Sequence, residues 1–140
     1  NSMHVCDFHK NWVEKGLIKP QDFNFNLLQH PIWQRMDILP PEHKDRVKEK
    51  YHEHFKWLKD KDPLTRATKG FESALDWMYK KDNQKHLDLF FAQTRKYDKI
   101  RNENSLDVFP EWKDSMDTHI SFSTDRETYV LCIKRTCPKF

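Results

Sequence analysis

Two glycines in 140 residues, Gly16 and Gly70, constrain this chain more than any other feature of its sequence. Loops that cradle phosphates need several positions where only a bare backbone fits, so nucleotide binding by a glycine-rich loop is excluded. Punctuation falls to proline instead. Pro20, Pro31, Pro40, Pro41, Pro63 and Pro110 each push the preceding residue away from helical dihedrals and mark where elements end.

A chain of this length supports one domain-sized core. Only 36% of its residues are hydrophobic, against a usual 45–50% or so, but 14% are aromatic, so much of the area available for burial sits in rings. The 25 basic and 22 acidic residues leave a net charge of +3, which describes a mixed, solvated surface and does not imply a nucleic-acid partner. No apolar run approaches the roughly 18 residues that cross a bilayer, and a membrane span is excluded. The stretch Asn1–Val5 has neither the basic nor the apolar region of a signal peptide and no starting Met, so the numbering is expected to begin inside a longer protein. Three cysteines, Cys6, Cys132 and Cys137, form no paired framework, which fits a reducing compartment; the cytoplasm is the expected location.

Residues 2–6 read as the end of a strand. Asp7 then caps a helix from Phe8 to Gly16, with Phe8, Trp12 and Val13 as its buried stripe. Phe23-Asn24-Phe25-Asn26-Leu27 alternates with period two, so residues 2–28 read as strand, helix, strand, a βαβ unit with parallel strands. Two parallel strands under one helix are not stable alone, and the rest of the sheet has to come from elsewhere. From Pro41 to Lys61 the pattern is helical on Val47, Tyr51, Phe55 and Leu58, with Glu42–Arg46 and Glu53–Lys56 among its surface charge pairs. Asp62-Pro63 predicts the cap and first turn of a helix to Lys81 facing inward on Phe71, Ala74, Leu75 and Met78. A further helix spans Gln84 to Arg101 on Leu87, Phe90, Phe91, Thr94 and Tyr97. Residues 105–112 predict a capped helical turn ended by Pro110. His119–Phe122 and Tyr129–Ile133 alternate again around Ser123–Arg126 and predict a C-terminal hairpin. The expected fold class is therefore α+β and helix-rich: one βαβ piece of an incomplete (β/α) barrel, three amphipathic helices and the hairpin, divided at 1–40, 41–112 and 113–140.

Among eight histidines the densest group is His52-Glu53-His54 with His43. Alternate helical positions point about 200° apart, so His52 and His54 cannot clasp one ion from a single face; surface histidines are the expectation. Cys132 and Cys137 lack a second pair to complete a tetrahedral site. Cys6 with His4 or His9 is a nucleophile–base arrangement only if a third group orients it. Basic residues interleave with Trp57, Trp77, Tyr79 and Tyr97, but their helical spacing favours core packing over base stacking. The ends of the two expected strands, Cys6-Asp7 and Gln29-His30, matter only if a complete barrel exists, because barrel ligands bind at the carboxyl ends of strands.

Two runs carry a family likeness. Asn26-Leu27-Leu28-Gln29-His30-Pro31, followed by Ile38-Leu39-Pro40-Pro41-Glu42-His43-Lys44, resembles the last barrel strand and next helix start of radical S-adenosylmethionine proteins with a SPASM or twitch-type auxiliary region. Tyr97-Asp98-Lys99-Ile100-Arg101-Asn102, followed by Phe109-Pro110-Glu111-Trp112, is similar to the Leu-Asp-Lys-Ile-Arg-Gly and Phe-Pro-Glu-Leu signature near their C-terminus; Tyr97, Asn102 and Trp112 depart from it. The likeness covers residues 1–112. It implies a parent enzyme carrying a 4Fe–4S cluster and S-adenosylmethionine, whose Cys-x3-Cys-x2-Cys motif and glycine-rich segment lie upstream of the part matched here. Neither motif occurs in this chain. It is accordingly expected to hold no cofactor and no catalytic residue, and to need the missing N-terminal barrel portion as its partner. Asn1, Ser2, Cys6, Asn26, Gln29 and His30 would then line the substrate side of the intact barrel, for a peptide or small-molecule substrate that the sequence does not identify. The other reading is a non-enzymatic helical module that binds a protein partner through its aromatic surplus. Residues 113–140 match nothing in the family; a divergent extension, a fused segment and an artefact of gene prediction remain open.

Overall fold

The computed structural model describes residues 2–120, with side-chain surroundings through Met116. It divides into two compact units, residues 1–87 and 88–140.

The first unit is built on an α-helical pair. Pro41 opens α2 (Pro41–Leu58) at a position where a missing N–H is harmless, and Val47, Tyr51, His54 and Leu58 are buried along it. In α3 (Arg66–Lys80) the buried stripe is Ala67, Phe71, Ala74 and Met78. The spacings of four, three and four are those of one helical face. Phe55 and Leu75, expected on these faces, are only half-buried. Asp62 does cap α3, from further away than expected. Its buried carboxylate accepts from the Arg66 N–H (3.2 Å), the Thr68 N–H (2.9 Å) and the Thr68 hydroxyl (3.0 Å), while Thr65 enters the helix at a left-handed φ of 53°.

The expected βαβ unit is absent from this stretch of the chain. Among the described residues there is no β-strand. Residues 2–4 form a turn and Val5 and Cys6 already belong to α1 (Val5–Glu14), which starts early because the Phe8 N–H closes on the His4 carbonyl at 3.0 Å. Among the described residues no neighbouring strand competes for those backbone groups. Asp7 sits inside the first turn, where its charge suits the helix dipole, and holds Lys50 at 2.7 Å. Gly16 ends the helix at φ 68°. The buried face of α1 is Cys6 and His9, whereas Phe8 and Trp12, expected inside, are 46% and 38% exposed. A short 3-10 turn, Pro20–Asp22, leads into residues 23–29, which run extended without a ladder. Their alternation is real but serves another purpose: Phe23, Phe25 and Leu27 turn inward, and Asn24 and Asn26 outward. The Phe25 ring packs edge-on against Phe71, 4.7 Å between centroids, and a Cβ at Gly70 would stand 3.3 Å from its Cδ2. One glycine thus terminates α1 and the other lets the strap lie close to α3.

After the cis His30–Pro31 bond, two 3-10 turns bring Asp37 into the interior. Its carboxylate holds Arg35 at 2.6 Å and accepts from the Asn83 amide at 2.8 Å, and the Arg35 guanidinium lies 4.3 Å from the Trp77 ring centre. This clasp ties the residues ahead of α2 to those that follow α3.

The second unit contains α4 (Leu87–Arg101) beyond its first residue, α5 (Ser105–Val108) and α6 (Lys113–Ile120). Asn104 caps α5 by accepting from the Leu106 N–H at 3.2 Å. Pro110 ends one helical turn but opens another, Pro110–Trp112, and α6 follows directly. His119 and Ile120, read as the first hairpin strand, are therefore helical; the rest of that hairpin lies outside the described residues. Among the described residues no helix is long and apolar enough to cross a membrane.

Candidate functional site

The sequence-derived candidates separate into a buried and an exposed set. Asn1 lies outside the described residues, and Ser2 is half-buried in the N-terminal turn. Cys6 is 5% exposed. Burial first, and the neighbouring Asp7 carboxylate second, push its thiol up to about 12, so it stays protonated at neutral pH and is a poor nucleophile or thiolate ligand. Among the described residues no three His, Cys, Asp or Glu side chains converge to hold a metal ion.

Asn26, Gln29 and His30 are all exposed and share one short stretch of extended chain. The outward half of the alternation places Asn24 and Asn26 on the side away from Phe71, and Gln29 and His30 follow where the chain leaves the strap for Pro31. Among the described residues the backbone of 24–29 enters no hydrogen-bonded ladder. Among the described residues the amide and imidazole groups thus form a polar strip on a backbone that pairs in no ladder, with Leu28 also half out in solvent.

Sequence reasoning missed the polar core beneath this strip. His9 and His54, both buried, meet with Nδ1 of His9 2.9 Å from Nε2 of His54. The other His9 nitrogen, Nε2, donates to the Pro20 carbonyl at 3.1 Å. The His9 ring stacks on Phe23 at 4.4 Å and that of His54 on Trp57 at 5.0 Å. Desolvation lowers the pKa of both imidazoles, that of His54 to about 4. The expectation that the α2 histidines lie on the surface therefore holds for His52 but not for His43 and His54. Nor does His9 serve Cys6 as a base; His54 takes its free nitrogen. The 200° separation of His52 and His54 correctly places one inside if the other is outside. The stripe of Val47, Tyr51 and Leu58 puts His54 on the inward face, a signal that was there to be read; its partner on α1 was not.

The second candidate motif folds as an interlocked turn. The Asp98 carbonyl accepts from the Glu103 N–H at 3.0 Å and its carboxylate from the Ser105 N–H at 3.0 Å. Between them Asn102 adopts a left-handed φ of 53°. Trp112 closes on Phe90 and Phe91, with ring centroids 5.5 and 5.7 Å away. Of the aromatic residues interleaved with basic ones, Trp57 and Trp77 are half-buried under Lys61 and Arg35, while Tyr79 and Tyr97 are exposed.

No family model, curated protein or solved structure matches the chain.

Proposed function

We propose that this chain is the C-terminal portion of a radical S-adenosylmethionine iron–sulfur enzyme of the SPASM or twitch type, and that it is catalytically silent without the upstream barrel. The observation that carries this reading is Asn102. The family signature has glycine at that position, and here the residue occupies the left-handed region that glycine enters freely and asparagine tolerates better than other side chains. A residue that tolerates the left-handed region thus stands where the signature has glycine. In the partner motif Trp112 stands where the signature has leucine, and it packs on Phe90 and Phe91 of α4. In this reading α2 and α3 support the barrel end. The unpaired stretch 24–29 is the edge on which an upstream barrel strand pairs, and Asn26, Gln29 and His30 face the substrate side. Ser2 and Asn1 belong with them only if the first residues are recruited into a strand once that partner is present. Cys6 is withdrawn from the set while it remains buried in α1.

The test is to express the chain together with its upstream coding sequence. An in-frame Cys-x3-Cys-x2-Cys motif, about four irons per polypeptide after anaerobic reconstitution, and ordering of residues 23–29 into a ladder support the reading. An upstream frame lacking that motif overturns it.

One observation favours the second reading, a helical protein-interaction module. Phe8 and Trp12 lie with tilted rings 4.5 Å apart between centroids on the outer face of α1, with Leu17 62% exposed beyond them, and clustered exposed rings mark contact surfaces.

A further inference from the structure

The pairing of His9 with His54 joins three segments far apart in sequence: α1, the turn at Pro20 and α2. Its proton inventory follows from the partners. The Pro20 carbonyl can only accept, so Nε2 of His9 carries a proton; in the neutral ring Nδ1 is then an acceptor, and Nε2 of His54 donates to it. One added proton can still be accommodated on Nδ1 of His54, whose Nε2–H donates to His9 as before. A second sets two N–H groups face to face, with the rings of Phe23, Trp57 and Phe71 around them and no acceptor between.

The charged groups that face the pair offer little compensation. From α1 come Asp7, already held by Lys50, and Lys10, which opposes a further positive charge. Ahead of α3, Asp62 favours protonation of His9, but its carboxylate is engaged by Arg66 and Thr68, and Lys61 lies over Trp57. In the 3-10 turn, Asp22 is exposed and takes the Lys19 N–H. We propose that the His9–His54 pair is a proton-operated latch: neutral, it holds α1 and the strap of residues 20–29 on α2 and α3, and acid releases that layer while the two long helices stay packed. Because the strap carries Asn26, Gln29 and His30, the latch governs the presentation of that strip. The inference rests on the fold alone and stands whether or not the chain belongs to a radical enzyme.

The sign agrees. Both folded-state pKa values lie below the ordinary 6.5, so the latch contributes fully above pH 6.5 and is lost as the pH falls toward 4. Hydrogen exchange of the full chain, corrected for intrinsic rates, should show protection of residues 5–14 falling about 10-fold between pH 7 and pH 5, with residues 47–58 and 71–78 unchanged. His54→Gln keeps a donor toward His9 without titrating and should reduce the fall to under about 3-fold. Loss of protection in all these segments together, a pH-independent α1, or full wild-type pH dependence in His54→Gln would overturn the proposal. Should that variant not fold, ring-nitrogen NMR of the unaltered protein decides: both imidazoles neutral at pH 6 supports the latch, and protonation of either within the folded state above pH 6 refutes it.

Discussion

Phe71 is the residue on which the first unit turns. It is fully buried on α3, and its ring meets Phe23 at 5.5 Å, Phe25 at 4.7 Å, Tyr51 at 5.0 Å and His54 at 4.7 Å. These neighbours come from the strap and from α2, so one side chain joins three segments. Phe71→Leu keeps most of the volume and removes the ring. Aromatic pairs contribute about 0.5–1.5 kcal/mol each beyond area burial; losing two such terms net, with imperfect refilling, is expected to destabilise the unit by about 2 kcal/mol. Phe71→Ala adds a cavity and should cost about 4 kcal/mol, a large part of the roughly 5–15 kcal/mol typical of a domain. Urea denaturation read by tryptophan fluorescence suits the measurement, since Trp12, Trp33, Trp57 and Trp77 all lie in residues 1–87. The expected result is a lower midpoint at an unchanged slope for Phe71→Leu. A loss below about 0.5 kcal/mol for that variant would refute the view that ring contacts at Phe71 hold the strap to the helices.

The two glycines should respond in opposite directions: Gly16→Ala destabilises by about 1 kcal/mol because of its φ of 68°, whereas Gly70→Ala gains about 0.5 kcal/mol, as helix propensity outweighs a 3.3 Å contact that the strap can relieve. Thermal melts of both variants check the signs. Asp37→Ala leaves Arg35 and Asn83 without their acceptor and should cost about 2–3 kcal/mol, with Asp37→Asn milder; equal effects would show that charge contributes nothing there. Asn102→Gly should be neutral or slightly stabilising and Asn102→Ala should cost about 1 kcal/mol, measured on the transition followed by Trp112 fluorescence. Cys6 should react with a thiol reagent in the folded protein at least about 100-fold more slowly than in urea, since it is buried and its thiol is raised to about 12; comparable rates would contradict the packing of α1.

The long helices were legible because a periodicity of 3.6 records which side is buried: Val47, Tyr51, Leu58, Phe71, Ala74 and Met78 all lie where the spacing puts them. The first 40 residues were not, for two physical reasons. Alternation reports only that one side of an extended backbone is covered, and Phe23, Phe25 and Leu27 achieve that against helices without any ladder. In α1, hydrophobicity gives the wrong face, because the polar His9 is satisfied inside by Pro20 and His54 while Phe8 and Trp12 remain outside. That satisfaction depends on partners 11 and 45 residues away. Of the candidate residues, Asn26, Gln29 and His30 are exposed on a stretch that forms no strand among the described residues, and Cys6 is buried in a helix.

Iron content tests the functional reading most directly. Anaerobic reconstitution should be run in parallel on this chain and on the polypeptide extended upstream, with iron, sulfide and visible absorbance measured on both. The account predicts no stoichiometric cluster on this chain and about four irons on the extended one. A stable cluster on this chain alone, or none on an extended polypeptide that carries Cys-x3-Cys-x2-Cys, would contradict it.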